Sequence, residues 1–320
     1  MKNVSRRDFL LDTMLAGVAL GGAFRNLPAS SGGPHLQFPS NPRDRLAVTS
    51  WPFRQFMASP TNSYRDKAKP GMDMTEFAGM VARQFGVHNI CPLAAHLRST
   101  DPAYLDRLRR AVAQANSHIV DLGLEGRCFW DPDKAKRDAA VEYGKHWVDL
   151  AIRLGSPSVR QHLGSPRGVQ PDVELASQTL GRLAEYGAAM NIIINLENDD
   201  LVNEDPFLIV KIIEKVGNPY LRALPDLGNT LGGGNVGYNE RGVAAMFKYA
   251  YGVCHVKDVV VADSGKTYQV DLPRMFELAK ASGFKGYFVM EWDGGPGGPY
   301  QGTERLVAQT LKNISGEAHS

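Results

Sequence analysis

Strand-like and helix-like segments alternate along most of this chain. Eight short runs of apolar and β-branched residues lie at 45–51, 87–93, 118–124, 157–163, 191–197, 221–227, 251–257 and 286–292. The stretches between them repeat apolar residues at i, i+3, i+4 and i+7, a pattern that indicates amphipathic helices. Strict alternation implies a parallel sheet, and eight units over about 270 residues match the (β/α)₈ barrel in number and size. We therefore predict an α/β protein with a single (β/α)₈ TIM barrel at 45–316, and a doubly wound open sheet is the alternative.

Composition and charge narrow the class of protein. The chain has 320 residues, of which 43% are hydrophobic, enough for one large core. Its 36 Lys and Arg against 34 Asp and Glu give a net charge of +2, and no long basic run is present, so we expect no nucleic-acid partner. Cys91, Cys128 and Cys254 are widely spaced, which indicates neither a disulfide framework nor a structural zinc site.

The first thirty residues have a different character. A paired arginine in "SRRDFL" is followed by the apolar "MLAGVALGGAF" and then by the small, polar "NLPASSGG". This order resembles a twin-arginine export signal, although an ordinary amphipathic first helix is the alternative. We predict a signal peptide at 1–30, a linker at 31–44, and export by the twin-arginine machinery to a periplasmic or other extracytoplasmic location. The apolar run is short, so we expect no stable membrane span after cleavage.

Residue types that commonly bind metal ions stand at the ends of four consecutive strand-like runs. The fifth to eighth runs end at Glu197, Asp226, His255 and Glu291, at spacings of 29, 29 and 36 residues. Active sites of (β/α)₈ barrels lie at the C-terminal ends of the strands, so these side chains should meet. Each residue alone could be a helix cap or a satisfied core group, but four coincidences favour a shared ion. Three carboxylates and one imidazole suit Mn²⁺, Mg²⁺ or Co²⁺, with Zn²⁺ or Fe²⁺ also allowed.

The motifs around these residues resemble a known family. "LEN", "PDLGN", "HVKD" and "MEW", in this order and spacing, are similar to the sugar phosphate isomerase/epimerase family, the xylose isomerase-like TIM barrels. The resemblance implies that Glu197, Asp226, His255 and Glu291 bind the metal and that the two glutamates are the catalytic acid and base. The chain departs from the pattern at Asn229, where ketose epimerases of the family often carry histidine. This departure argues against simple 3-epimerase activity.

Two carboxylates beside one cation predict proton-transfer chemistry. One can remove a proton next to a cation-bound carbonyl, and the other can return a proton. We therefore predict a divalent-metal-dependent sugar isomerase or epimerase, and the export signal favours substrates without phosphate. A lyase or hydratase for keto-sugars or 3-keto-glycosides at the same site is the alternative, and a non-catalytic sugar-binding protein is a more distant one. A homo-oligomer is also compatible with the sequence.

Further residues are candidates for substrate binding. Lys257 shares one strand face with His255, and Arg160 shares one with His162, because side chains at i and i+2 point to the same side. Trp51 and Asn229 complete the candidates. For Lys257, Arg160 and His162 a structural role is the alternative, and for Trp51 the alternative is aromatic packing under the rim.

A glycine-rich segment matches a nucleotide-binding pattern only superficially. "GGGNVG" at 232–237 satisfies G-x-G-x-x-G. No strand leads directly into its first glycine, however, as the dinucleotide fingerprint requires. We expect a flexible loop here and no dinucleotide cofactor.

Overall fold

The computed structural model describes residues 32–164, 166–262 and 264–315. The predicted signal peptide at 1–30 lies outside the described residues, as do the first residue of the predicted linker and residue 316 at the end of the predicted barrel. The export signal therefore stays a prediction.

Strands and helices alternate as the sequence predicts. The strands are Leu46–Thr49 (β1), Asn89–Cys91 (β2), His118–Ile119 (β3), Leu122–Gly123 (β4), Ser158–Gln161 (β5), Ile193–Glu197 (β6), Leu221–Leu224 (β7), Val253–Val256 (β8), Val259–Val261 (β9), Thr267–Gln269 (β10) and Tyr287–Met290 (β11). The helices are Met74–Phe85 (α1), Pro102–Gln114 (α2), Lys134–Leu154 (α3), Val173–Met190 (α4), Pro206–Val216 (α5), Val236–Phe247 (α6), Leu272–Ala281 (α7) and Pro299–Ile314 (α8).

The parallel strands form a closed ring. One arc has the order β3-β2-β1-β11-β8 and the other the order β4-β5-β6-β7. Isolated parallel bridges join the arcs: Leu93 pairs with Gly123 at one seam, and Ala223 with Ala250 and Asp226 with His255 at the other. Because the first strand also pairs with the last, with Leu46 opposite Phe288, the sheet has no open edge there. The predicted TIM barrel is confirmed, and the doubly wound open sheet is wrong.

The third predicted strand is interrupted. Val120 N donates to Ile90 O on one side of the ring, whereas Leu124 N donates to Arg160 O on the other. The break lies at Asp121, whose buried carboxylate accepts hydrogen bonds from Ser158 Oγ and Asn195 Nδ2. β3 and β4 are therefore one barrel strand that changes partner where a polar side chain turns into the interior.

Local capping explains where many helices begin and end. An aspartate N-cap accepts a backbone N–H at five helices: Asp73, Asp133, Asp172, Asp205 and Asp271. Gly86 ends α1 with a φ of 60°, and Gly217 ends α5 with a φ of 63°. This left-handed backbone favours glycine, which is why each helix ends there.

The segment before β1 lies against the N-terminal end of the barrel. Phe38 packs at 5.5 Å from the ring of Tyr251 and 5.8 Å from that of Tyr287. The Tyr251 hydroxyl also donates to Pro34 O at 2.7 Å. The described part of the predicted linker therefore covers apolar side chains at the barrel floor, opposite the rim that carries the predicted ligands.

Within the described ranges, no helix combines the length and the apolar character that a bilayer span requires.

Candidate active site

The four predicted metal ligands lie together at the C-terminal rim. Glu197 is the last residue of β6, His255 is in β8, Glu291 directly follows β11, and Asp226 lies two residues beyond β7. One ligand atom from each lies within 4.8 Å of the others, and all four side chains are buried. We call these residues the quartet.

Basic side chains contact the quartet from two directions. Arg160 from β5 donates through Nη1 to Glu197 Oε2. Lys257 Nζ lies 3.1 Å from Glu291 Oε2 and 3.2 Å from Asp226 Oδ2. Each glutamate of the quartet is therefore paired with a different cationic side chain.

His255 joins the two glutamates. Its Nδ1 lies 2.7 Å from Glu197 Oε1 and 3.4 Å from Glu291 Oε2. Burial disfavours the imidazolium, but the two carboxylates outweigh burial and raise the pKa of His255 to about 10. Burial also opposes ionisation of Glu291, yet the charges of His255 and Lys257 lower its pKa to about 2.

Asp226 has one oxygen satisfied and one available. Its Oδ1 accepts the backbone N–H groups of Gly228 at 2.8 Å and Asn229 at 2.7 Å. Its Oδ2 is buried and, among the described residues, has no hydrogen-bond partner, since the approach of Lys257 is poorly aligned. Burial raises the pKa of Asp226 to about 7, which Lys257 only partly opposes. A carboxylate oxygen so placed fits a role as a metal ligand.

The donor set of the quartet fits a divalent cation. Arg160, Lys257 and His255 balance the charge of the three buried carboxylates here, and a metal ion bound by the quartet would supply positive charge in the same place. Oxygen-rich ligation with one imidazole is typical of Mg²⁺- and Mn²⁺-type sites.

Asn198 was not singled out from the sequence, although it belongs to the "LEN" motif. Its Oδ1 accepts Asp226 N–H at 2.8 Å, and its Nδ2 donates to Asp226 O at 3.1 Å. Asn198 therefore fixes the backbone of one ligand from the position next to another.

A cavity of about 460 Å³ opens onto the quartet. Four of the predicted substrate-binding residues line it, namely Trp51, Arg160, His162 and Lys257. Asn229 is not among the lining residues in the described part of the chain, and its Oδ1 accepts a hydrogen bond from Lys257 Nζ at 2.7 Å. The geometry thus gives Asn229 a contact that positions Lys257.

Two histidines in the cavity wall have fixed partners. His162 Nδ1 lies 3.1 Å from both carboxylate oxygens of Glu204, and Leu163 N donates to Glu204 Oε1 at 2.6 Å. Burial disfavours the charged form of His162, but the charge of Glu204 outweighs the effect of burial and raises the pKa of His162.

The second histidine is His96. Its Nδ1 lies 2.8 Å from Ser50 Oγ, and burial together with the charge of Arg54 lowers the pKa of His96 to about 3. Glu204 therefore favours the charged form of His162, whereas the surroundings of His96 favour its neutral form.

Sequence reasoning missed Glu204. It lies in the loop after β6, and spacing along the chain carries no signal that it would meet His162.

Solved structures share the fold over most of this chain. A xylose isomerase-like TIM barrel protein from Mycobacterium smegmatis, in complex with magnesium, superposes with a TM-score of 0.63 at 17% identity, covering 84% of this chain and 97% of that one. A D-psicose 3-epimerase with D-tagatose, from Clostridium cellulolyticum, gives 0.59 at 14% identity, covering 86% and 92%. A 3-keto-D-glucoside 4-epimerase from E. coli in its apo form gives 0.59 at 14% identity, covering 77% and 97%. At these identities the likeness shows the fold alone.

A comparison with curated protein sequences finds no match. The sequence pattern of the family described as "Xylose isomerase-like TIM barrel" matches residues 77–313. Since that match covers most of the chain, and the barrel and its rim cluster agree with it, the protein belongs to the xylose isomerase-like TIM barrel family.

Proposed function

We propose that this protein is a divalent-cation-dependent enzyme that isomerises or epimerises a sugar without phosphate groups. The observation that carries the proposal is the quartet, in which three carboxylates and an imidazole from four consecutive barrel units converge, with Glu197 and Glu291 lining a cavity. Two solved structures with this fold are sugar epimerases, which supports the same class of reaction here.

The quartet and its basic partners have different roles in the proposed proton transfer. A cation bound by the quartet would polarise a substrate carbonyl and acidify the neighbouring C–H bond. Glu197 and Glu291 are separate carboxylates, so one can remove the proton while the other returns one to the opposite face or the adjacent carbon. Arg160 orients Glu197, and Lys257 is placed to donate a hydrogen bond to a substrate oxygen beside Glu291.

The charge of the cavity supports a neutral substrate. Six carboxylates line it against three lysine and arginine side chains, an excess of three acidic groups when the histidines are left out, which a divalent cation would partly offset. The carboxylates are Glu125, Glu197, Asp199, Glu204, Glu291 and Asp293. Phosphate sites normally gather arginines, lysines or helix N-termini, so this negative lining disfavours a sugar phosphate.

Hydrogen exchange in D₂O tests the reaction. Mn²⁺-loaded protein is incubated with a panel of aldoses, ketoses and 3-keto-glucosides, and NMR follows the exchange of single carbon-bound protons. We expect exchange at one carbon of a preferred sugar, lost in EDTA and at least 100-fold slower in Glu197→Gln and Glu291→Gln. A native protein that binds no divalent ion by elemental analysis, or variants that exchange at the native rate, would contradict the proposal.

A lyase for keto-glycosides is the second candidate, and the size of the cavity favours it. Removal of a proton next to a carbonyl is also the first step of β-elimination, which needs a leaving group on the next carbon. The same NMR experiment separates the two reactions, because elimination releases the aglycone whereas isomerisation and epimerisation conserve the whole molecule.

We also propose export by the twin-arginine route, on the sequence of residues 5–33. The full chain with a C-terminal tag is expressed in a bacterium that has this route, and cell fractions are compared. Replacing both Arg6 and Arg7 by lysine should retain the protein in the cytoplasm. Equal export of the native and double-variant chains would overturn the assignment.

A further inference from the structure

An aromatic wall extends the cavity from the quartet toward its mouth. Asp293 lies two residues beyond Glu291, and its Oδ1 accepts a hydrogen bond from Trp51 Nε1 at 2.7 Å. The ring of Trp51 meets that of Tyr64 edge to face at 5.0 Å. All four residues line the cavity, and Tyr64 is 55% exposed. A line of contacts therefore leads from Asp293, two residues beyond a quartet carboxylate, to an exposed aromatic ring.

The wall is held rigidly by its surroundings. The Arg54 guanidinium lies 4.3 Å from the Trp51 ring centre and 3.2 Å from Asp293 Oδ1. Buried Asn62 donates to Arg54 O at 2.6 Å and to Met57 O at 2.9 Å, and it accepts Tyr64 N–H at 3.0 Å. An aromatic surface that is already ordered loses little entropy when a ligand covers it, which favours binding.

The cavity is larger than one sugar ring. A hexose fills about 200 Å³ at the packing density of organic crystals, against a cavity of about 460 Å³. A ring bound at the quartet would therefore leave the part beside Tyr64 open. That remaining space is enough for a second ring.

We propose that Trp51 and Tyr64 form an outer subsite for the aglycone of a glycoside whose sugar ring binds at the quartet. The inference rests on the proposed function and names its substrate class: keto-glycosides with a ring-shaped aglycone, whose ring carbonyl makes the neighbouring C–H bond acidic, rather than free monosaccharides. The exposed face of Tyr64 stacks on the aglycone ring, whether that ring is aromatic or the apolar face of a second sugar. The rigid attachment of Trp51 to Asp293 sets the distance between the two rings.

Calorimetry on the Mn²⁺-loaded protein tests the subsite. The probes are the phenyl and methyl glycosides, in both anomers, of D-glucose, D-galactose, D-mannose and D-xylose, together with the four free sugars. For the preferred sugar we expect the phenyl glycoside to bind at least tenfold more tightly than the methyl glycoside. Tyr64→Ala should reduce this ratio to less than threefold, while Tyr64→Phe should keep it, and neither should change the affinity for the methyl glycoside.

Phe207→Ala is the matched control, because Phe207 is also an exposed aromatic residue but does not line the cavity. It should leave the phenyl-to-methyl ratio unchanged. A native ratio near one, a ratio that survives Tyr64→Ala, or a panel in which no phenyl glycoside binds would each overturn the subsite. The phenyl glycosides have no carbonyl and serve only as binding probes. If they bind through Tyr64 but no aldose, ketose or 3-keto-glucoside exchanges a carbon-bound proton in D₂O, the subsite stands and the proposed reaction fails.

Discussion

At the residue scale, each quartet glutamate depends on its own basic partner. Arg160 is buried against Glu197, whereas Lys257 is buried between Asp226 and Glu291. A buried carboxylate without a counter-charge is costly, so in the metal-free protein these partners stabilise the fold.

Replacing Arg160 by methionine tests this dependence. We expect Arg160→Met to lower the free energy of unfolding of the metal-free protein by about 3 kcal/mol, since it leaves Glu197 buried without its guanidinium. Urea unfolding in EDTA measures the loss. In the control Arg153→Met, the lost ion pair with half-exposed Asp106 should cost less than about 1 kcal/mol. Equal losses in the two variants would show that the Arg160 pair contributes no more than a surface pair.

The lowered pKa of His96 should make the stability of the folded protein depend on pH. Its pKa in the folded protein is about 3, whereas in the unfolded chain it is about 6.5. Between these values the unfolded chain binds a proton that the folded chain does not, so stability falls as the pH drops from about 6.5 toward 3.

Urea unfolding of native protein and His96→Gln between pH 4 and 6.5 measures the effect of His96. The native protein should lose up to about 1.4 kcal/mol more per pH unit than the variant. Parallel curves for the two proteins would mean that His96 is protonated in the folded state.

At the element scale, α8 fixes the position of the strand end that carries Glu291. Gly302 in α8 lies so close to Trp292 that a Cβ added at this position would overlap the indole ring. Trp292 directly follows Glu291 in the chain, so the packing of the helix against the strand determines where the carboxylate lies. The glycine is therefore needed for a close approach between elements.

Gly302→Ala should lower the free energy of unfolding by roughly 1–3 kcal/mol, because the buried indole must move. It should also weaken Mn²⁺ binding through the displacement of Glu291. Urea unfolding and calorimetry measure the two effects. Gly181→Ala in α4 is the control: its Cβ would meet only Val216 at 3.9 Å, so better helix propensity should stabilise the protein by about 0.5–1 kcal/mol. If both variants gained the same free energy of unfolding, the Trp292 side chain would have moved aside without destabilising the protein.

At the scale of the whole molecule, the quartet spans a seam of the barrel. β7 and β8 are joined only by isolated bridges in the described residues, and one of these pairs Asp226 with His255. Both residues belong to the quartet. A bound cation would therefore hold together two strands that regular pairing joins only weakly.

Cation binding should accordingly raise the thermal stability of the protein. At a free Mn²⁺ concentration of 100 times Kd, the gain is about 2.7 kcal/mol, which corresponds to an increase in Tm of roughly 5 °C for a domain of this size. Scanning calorimetry with Mn²⁺ and with EDTA measures the shift. In Asp226→Asn the shift should fall to less than half, and an undiminished shift would place the stabilising ion elsewhere.

Hydrogen bonding across the seam gives an independent measurement. His255 N donates to Pro225 O, and Leu227 N donates to His255 O. We expect these two amides to exchange with solvent more slowly when Mn²⁺ is bound, because the cation restrains both strands.

The sequence by itself determined the barrel and the members of the quartet. Alternating strands and helices impose a parallel sheet with right-handed connections, so residues that end consecutive strands must meet at one rim. This local rule needs no knowledge of side-chain contacts. It identified Glu197, Asp226, His255 and Glu291, although it did not foresee the break at Asp121 or the helix after β11.

Only the tertiary structure decided which side chains pair with one another. Arg160 contacts Glu197 across 37 residues, His162 meets Glu204 across 42, and Trp51 meets Asp293 across 242. Spacing brings each of these residues to the rim, but many charged and aromatic groups reach that rim together. Rotamers, burial and the packing of the loops select the partners, and these depend on the whole fold rather than on any repeat in the chain.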